Sequence, residues 1–431
     1  MTIDNDVVDA LAAELLGPHI KSGPPAAWGH TVREYLTGTP QLTHWQTPLL
    51  TLDRAALDAN RALMADWSSA GGVALAPHGK TTMAPQLWRE QLRAGAWGIT
   101  LATAWQAQLA RSFGVGRILL ANALVDPIGL AWVAEESARD ENFEFYCWAD
   151  SVATVELMDK ILRDTAPGPP VRVLVELGGA HGRTGARTRA EALAVAHALV
   201  GSERLVLAGV GGYEGALAHD RTPAALTAVR GYLRELASLH IELGELYSGP
   251  AVVSAGGSAY PELVVEELAS LGSDQLPTAP GSTTVVLRSG AYLVHDDGFY
   301  AGISPLSAPA ADPGLRSAMH GWARVVSRPE PELALLDGGK RDFPFDEGLP
   351  TPQLVVGGSA LPSGAHVSAL NDQHTFLRLP GATFADLPVG SVVRLGLSHP
   401  CTAFDKWRLI PVIDTAETAH PRVVDLIRTY F

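Results

Sequence analysis

From about residue 46, short apolar runs rich in Val, Ile and Leu alternate with longer stretches of Ala, Leu, Arg and Glu. The apolar runs are Gly72–Ala76, Gly98–Ala102, Ile118–Leu124, Phe143–Trp148, Val171–Leu177, Leu205–Val210, Val252–Ala255 and Thr284–Leu287. They predict eight strands. Between them, Ala84–Ala94, Trp105–Ser112, Val152–Arg163, Arg189–Leu199 and Pro223–Leu239 have helical character. Strands buried on both faces read as unbroken apolar runs, and βα alternation implies parallel strands with right-handed crossovers. Eight such units over about 240 residues fit a TIM-type (β/α)8 barrel better than an open sheet.

After about residue 286 the helical stretches stop and Pro and Gly become frequent. The runs Ala323–Ser327, Leu333–Leu336, Thr375–Leu379 and Ser391–Leu395 predict a C-terminal β-rich domain. The expected layout is an N-terminal extension over 1–45, a barrel over 46–285 and the β-rich domain over 286–431. A strand around 47–53 could join the β-rich part. In the extension, Val7 to Leu16 forms a short amphipathic run, and Gly23-Pro24-Pro25 makes a joint. A site where the two domains meet is the default expectation.

Composition narrows the function. With 46 acidic and 32 basic side chains among 431 residues, the net charge of −14 disfavours nucleic acid as a partner. Apolar residues make up 47% and charged ones 18%, enough for a large core. Cys147 and Cys401 are too few and too far apart for a disulfide framework, which points to a reducing compartment. No basic start with an apolar run marks a signal peptide, and no stretch is apolar enough to span a membrane. The expectation is a cytoplasmic enzyme.

Two motif matches fail. Gly79-Lys80-Thr81 resembles the end of a phosphate loop, but Ala74 stands where its first Gly is needed. Gly256-Gly257-Ser258-Ala259-Tyr260 resembles a nucleophile elbow, but it ends in Tyr260. Other segments carry more. Lys80, in Pro77-His78-Gly79-Lys80-Thr81, follows the first barrel strand, at the end of the barrel that carries chemistry. It could hold pyridoxal phosphate through its amine, or be an ordinary solvated lysine. Gly256-Gly257-Ser258 follows the seventh strand, a usual phosphate position in such barrels, though any tight turn could use it. His399 and Cys401 could be half of a catalytic zinc site, or simply pack in a small β core. Arg183 could hold an oxyanion or pair with a surface acid.

These segments together resemble the D-serine dehydratase and D-threonine aldolase group of pyridoxal-phosphate enzymes, which use an alanine-racemase-type barrel. The resemblance runs from about Thr47 to the C-terminus. Thr47–Asp53 looks like the family's opening strand and Pro77–Thr81 like its lysine motif. Glu176–Gly185 keeps the family spacing of Glu, Arg and final Gly, with Gly178 where Asp is usual. Gly212-Tyr213-Glu214-Gly215 resembles the sixth-strand motif. Gly256-Gly257-Ser258 resembles the phosphate loop, with Ala259-Tyr260 departing from the usual continuation. Arg288–Tyr292 looks like the passage into the β-domain, Asp372-Gln373-His374 is a loose match to an acidic-acidic-His element, and Leu397–Cys401 resembles the metal motif.

The resemblance implies Lys80 as the catalytic, cofactor-linked lysine. It implies cofactor contacts from His78, Arg183, Tyr213, Gly256, Gly257 and Ser258, and Zn2+ on His399 and Cys401. It further implies a homodimer acting on a small D-amino acid. The His-x-Cys form points to dehydration, most simply of D-serine to pyruvate and ammonia. A metal-dependent D-threonine aldolase is the alternative, and a cofactor carrier the non-enzymatic one. A racemase would need a second acid/base, for which no residue presents itself.

Overall fold

The computed structural model describes residues 2–165, 168–180, 182–272, 282–308, 310–358 and 360–431. The first strand, β1 (Leu49–Asp53), is buried at every position. Eight parallel strands follow: β2 (Ala74–Leu75), β3 (Ile99–Leu101), β4 (Arg117–Ala123), β5 (Glu144–Ala149), β6 (Val171–Leu177), β7 (Leu205–Gly212), β8 (Ala251–Ala255) and β9 (Thr283–Leu287). They pair in the order β2-β9-β8-β7-β6-β5-β4-β3. The ring closes between β2 and β3. Trp97 N donates to Leu75 O at 2.7 Å, Thr100 N donates to Pro77 O at 2.9 Å, and His78 bridges Thr100 in parallel. All eight expected strands are present, in a (β/α)8 barrel.

The barrel interior is filled by Ala76, Leu119, Tyr146, Trp148, Leu174, Ala208, Val252 and Val286, one or more from most strands, so it is a packed core and not a pore. The outer helices start where the sequence supplies caps. Thr103 accepts from Gln106 N, Asp126 precedes Pro127 and accepts from Gly129 N, and Thr188 forms a capping box with Glu191. Helix Arg189–Val200 buries Ala192, Val195, Ala196 and Leu199, the spacing of a single helical face.

Two compact units divide the chain. One comprises Met1–Asp4, Met64–Lys80 and Trp88–Gly290, and contains the barrel strands. The other comprises Asn5–Leu63, Thr81–Leu87 and Ala291–Phe431. Its strands after the barrel are β10 (Met319–Glu330), β11 (Leu333–Leu336), β12 (Thr351–Val355), β13 (His366–Leu370), β14 (Thr375–Arg378), β15 (Val392–Gly396), β16 (Leu409–Ile413) and β17 (Val423–Arg428). The sheet runs β13-β14-β11-β10-β1-β16-β17, and β15 joins β10 to β12. β1 lies antiparallel to β10, where Trp322 Nε1 donates to the buried Thr51 hydroxyl at 2.8 Å. The N-terminal segment of this unit buries Leu16, Ile20, Val32, Leu42 and Trp45.

The second unit departs from the expected pattern in two ways. Helical structure does not stop at 286, because Phe299–Ile303 and Pro400–Phe404 are short helices. Each spans only five residues, too short to leave a hydrophobic period in the sequence. β10 is also far longer than the apolar run Ala323–Ser327 that announced it. Among the described residues, no helix is long and apolar enough to cross a membrane.

Candidate active site

Lys80 sits in the tight turn Gly79–Thr81 that follows β2. Trp88 Nε1 donates to Gly79 O at 3.1 Å and locks the turn. A Cβ on Gly79 would lie 2.6 Å from Ile99, so only glycine fits there. Burial holds the neighbouring His78 imidazole well below its usual range, with the charges of Lys80, Arg288 and Arg183 adding to the effect. His78 is therefore neutral at pH 7.

Arg288, directly after β9, is 1% exposed. It donates to Ser254 Oγ at 2.7 Å and to Gly212 O at 2.6 Å, and its guanidinium stacks over Trp148 at 4.9 Å. Burial pushes its pKa down and the Glu214 charge works against that. Glu176, at the end of β6, accepts from Thr184 Oγ1 at 2.5 Å, and burial raises its pKa.

The loop carrying Arg183 is organised by a residue to which the sequence reading gave no role. Arg187 donates to the carbonyls of Gly179, Gly182, Arg183 and Thr184. Arg183 itself stacks on Tyr213 at 5.0 Å. Gly178, where the family pattern has Asp, has a local reason: a Cβ there would meet Thr184 O at 2.4 Å. His181, within the quoted segment, lies outside the described residues. A 380 Å³ cavity beside this loop is lined by Gly179, Arg187, Tyr232 and Glu235 among others, but not by Lys80.

Gly256 has φ +97°, and a Cβ there would come within 2.2 Å of Leu287 Cδ1. Its amide and that of Gly257 are both taken by Glu214, at 2.9 and 2.7 Å. Ser289 Oγ donates to Gly257 O at 2.6 Å.

This set fits pyridoxal phosphate. Among the described residues, His78 Nδ1, Trp148 Nε1 and Arg288 Nε are buried polar atoms without a hydrogen-bond partner. Such atoms are costly unless a bound group satisfies them. They occur in the same barrel as a lysine, two arginines and a glycine turn after β8. Lys80 would hold the cofactor covalently, with Arg183 and Arg288 supplying positive charge and Tyr213 an aromatic face.

His399 opens the short helix Pro400–Phe404 with a left-handed backbone, φ 52°. Asp296 pins that backbone: its Oδ2 accepts from His399 N at 3.1 Å, while Oδ1 accepts from the amides of Gly298, Tyr300 and Ala301. The ring is fixed separately. His399 Nδ1 lies 2.5 Å from Asp346 Oδ2, and Asp346 Oδ1 accepts from Thr402 Oγ1 at 2.7 Å. The contact with Cys401, then that with Asp346, raises the His399 pKa to about 9 against the cost of burial. Cys401 Sγ lies 3.6 Å from Thr81 Oγ1.

Among the described residues, no group of three or more His, Cys, Asp or Glu side chains is arranged to hold a metal. His399 and Cys401 remain a pair. An imidazole and a thiol in contact, with a carboxylate on imidazole Nδ1, fit an ion that keeps open positions and not a closed structural site. Asp405 pairs with Lys406 at 3.3 Å. Asp372–His374 lies in the turn between β13 and β14, where Gln373 donates to Asp342.

Residues 318–413 match the serine dehydratase domain family. The chain is 28% identical over 367 residues to a D-threonine aldolase of Arthrobacter sp, across 84% of this chain and 88% of that one. It is 24% identical over 311 residues to a 3-hydroxy-D-aspartate aldolase of Paracoccus denitrificans (strain Pd 1222), across 71% and 75%. Its fold superimposes on the crystal structure of D-threonine aldolase from Filomicrobium marinum with a TM-score of 0.73 at 21% identity, covering 90% of this chain and 96% of that one. With the lysine turn, the glycine turn and the His-x-Cys pair all present in this fold, these matches support the resemblance of the chain to the D-serine dehydratase and D-threonine aldolase group of pyridoxal-phosphate enzymes.

Proposed function

We propose that this chain is a pyridoxal-phosphate lyase acting on D-3-hydroxy amino acids, and that it removes water from them, most simply converting D-serine to pyruvate and ammonia. The observation that carries this reading is the His399–Cys401 pair, an imidazole in contact with a thiol and held by Asp346 Oδ2 at 2.5 Å, which suits an ion that assists the departure of hydroxide.

The cofactor, when bound, supplies an electron sink for the carbanion at Cα. A zinc ion, when bound, supplies Lewis acidity toward a poor leaving group such as hydroxide. The chain's own residues do the rest. Lys80 takes the Cα proton on its amine. His78, neutral beside it, adds no competing positive charge. Arg183 and Arg288 orient and balance negative charge, and Arg288 is rigid because Ser254 and Gly212 O hold it. The sum for D-serine balances: water leaves in the elimination and one water returns when the amino-acrylate is hydrolysed to keto acid and ammonia.

A second reading is favoured by the curated relatives, which are named as aldolases. Here the same residues would promote cleavage of Cα–Cβ, giving glycine and an aldehyde. Cys401 in the metal motif favours dehydration. Incubating the protein with D-serine, D-threonine and D-threo-3-hydroxyaspartate separates the two. Keto acid with ammonia is the expected result. Glycine with aldehyde, and no keto acid, overturns dehydration in favour of the aldolase.

A further inference from the structure

The turn after β8 was expected to offer the amides of Gly256 and Gly257 to the cofactor phosphate. The structure gives both to one side chain. Gly256 N donates to Glu214 Oε2 at 2.9 Å and Gly257 N to Oε1 at 2.7 Å. Glu214 has no exposed surface. Two successive amides on one carboxylate form an internal version of the backbone nests that bind anions.

A phosphate and Glu214 cannot share those amides. Displacing Glu214 would leave a carboxylate in the barrel without its two charge-assisted hydrogen bonds, which is costly in a buried site. Arg288 balances the charge where it stands, since Glu214 is the strongest influence opposing the fall in the Arg288 pKa. The turn is also built around this arrangement. Leu287 leaves no room for a Cβ on Gly256, Tyr213 Cε2 would lie 3.0 Å from one on Gly257, and Ser289 Oγ ties down the Gly257 carbonyl.

We infer that Glu214 is a positioning residue of the phosphate site: it keeps the Gly256 and Gly257 amides and so shapes the turn, leaving the phosphate to other donors. This rests on the pyridoxal-phosphate reading above. It assigns the two glycines a steric role.

The test compares pyridoxal phosphate with pyridoxal, which lacks the phosphate. Cofactor-stripped full-length protein is titrated with each, following the visible band of the lysine-bound cofactor and tryptophan fluorescence. Glu214→Gln preserves volume but loses the charge and one acceptor, while Glu214→Ala removes both acceptors. Affinity for pyridoxal phosphate is expected to fall about tenfold in the Gln variant and further in the Ala variant, with pyridoxal affinity changed less than about twofold. If Glu214→Ala does not fold, Glu214→Gln alone decides. An unchanged preference for the phosphate ester overturns the inference. An increased preference also overturns it, since the carboxylate would then be competing with the phosphate. If the unaltered protein develops no visible band with either compound, the cofactor reading itself fails, and the inference with it.

Discussion

Around Lys80 the polar groups come from the ends of five barrel strands, whereas around His399 they come from one short turn and two loops. His78 and Lys80 follow β2, Glu176 ends β6, Tyr213 and Glu214 follow β7, Gly256 follows β8, and Arg288 follows β9. These groups are largely buried and answer one another: Arg288 lies 1% and Glu214 0% exposed. The His399 side chain is 24% exposed and that of Asp346 41%. The barrel uses burial to fix its charges without solvent competition, which suits a group held for many turnovers. The His399 turn fixes its ring with the Asp346 carboxylate while staying open, which would suit an ion that exchanges ligands with substrate.

That contrast can be broken most decisively at Lys80. Lys80→Ala should abolish both the visible band of bound cofactor and all lyase activity. Borohydride reduction and peptide mapping check the assignment, and an adduct on Lys160 or Lys340 would place the linkage elsewhere.

At the other pole, Asp346→Ala should weaken metal binding about 10- to 100-fold, because the carboxylate orients the imidazole that would hold the ion. Cobalt is the probe, read through its thiolate charge-transfer band, with the visible cofactor band expected to stay unchanged. Undiminished cobalt affinity would mean that the ring needs no such support, and Cys401→Ala should remove the band altogether.

The smallest expected effect lies at the far end of the barrel. His240 is fully buried, with its ring nitrogens 2.9 Å from Tyr247 OH and 3.1 Å from Thr283 Oγ1, and burial lowers its pKa to about 4. The unfolded chain takes up this proton near pH 6.5 and the folded chain only near pH 4. The stabilisation is therefore complete above pH 6.5 and lost as the pH falls toward 4. His240→Asn should lower the melting temperature at pH 7 by a few degrees and flatten its acid dependence between pH 6.5 and 4. An equally steep acid dependence in the variant would assign the effect to other groups.

The same contrast decides what could be read without coordinates. Barrel strands such as β6 and β8 were legible because both faces are buried, which leaves continuous runs such as Val171–Leu177. β12 and β13 passed unnoticed because most of their positions are partly or fully exposed, so no apolar run marks them. β16 is buried throughout, but Pro411 interrupts its run. Lys80 and the His399–Cys401 pair stood out as local motifs. Asp296 and Asp346 lie 103 and 53 residues from His399, and nothing near them in sequence marks their task. Glu214 and Arg288 were visible inside recognisable segments, but their roles were not.

The sequence by itself determined the alternation of strands and helices, the lysine turn after the first barrel strand, the glycine turn after the seventh, and a His-x-Cys pair beyond the barrel. Each is local, set by burial on both strand faces or by residue types a few positions apart. Only the tertiary structure decided that β1 pairs with β10, that Glu214 takes the amides expected to meet a phosphate, that Arg288 lies buried over Trp148, and that two aspartates lock His399. Those choices depend on which charges end up buried together, and a buried charge finds its partner through the fold, not through proximity along the chain.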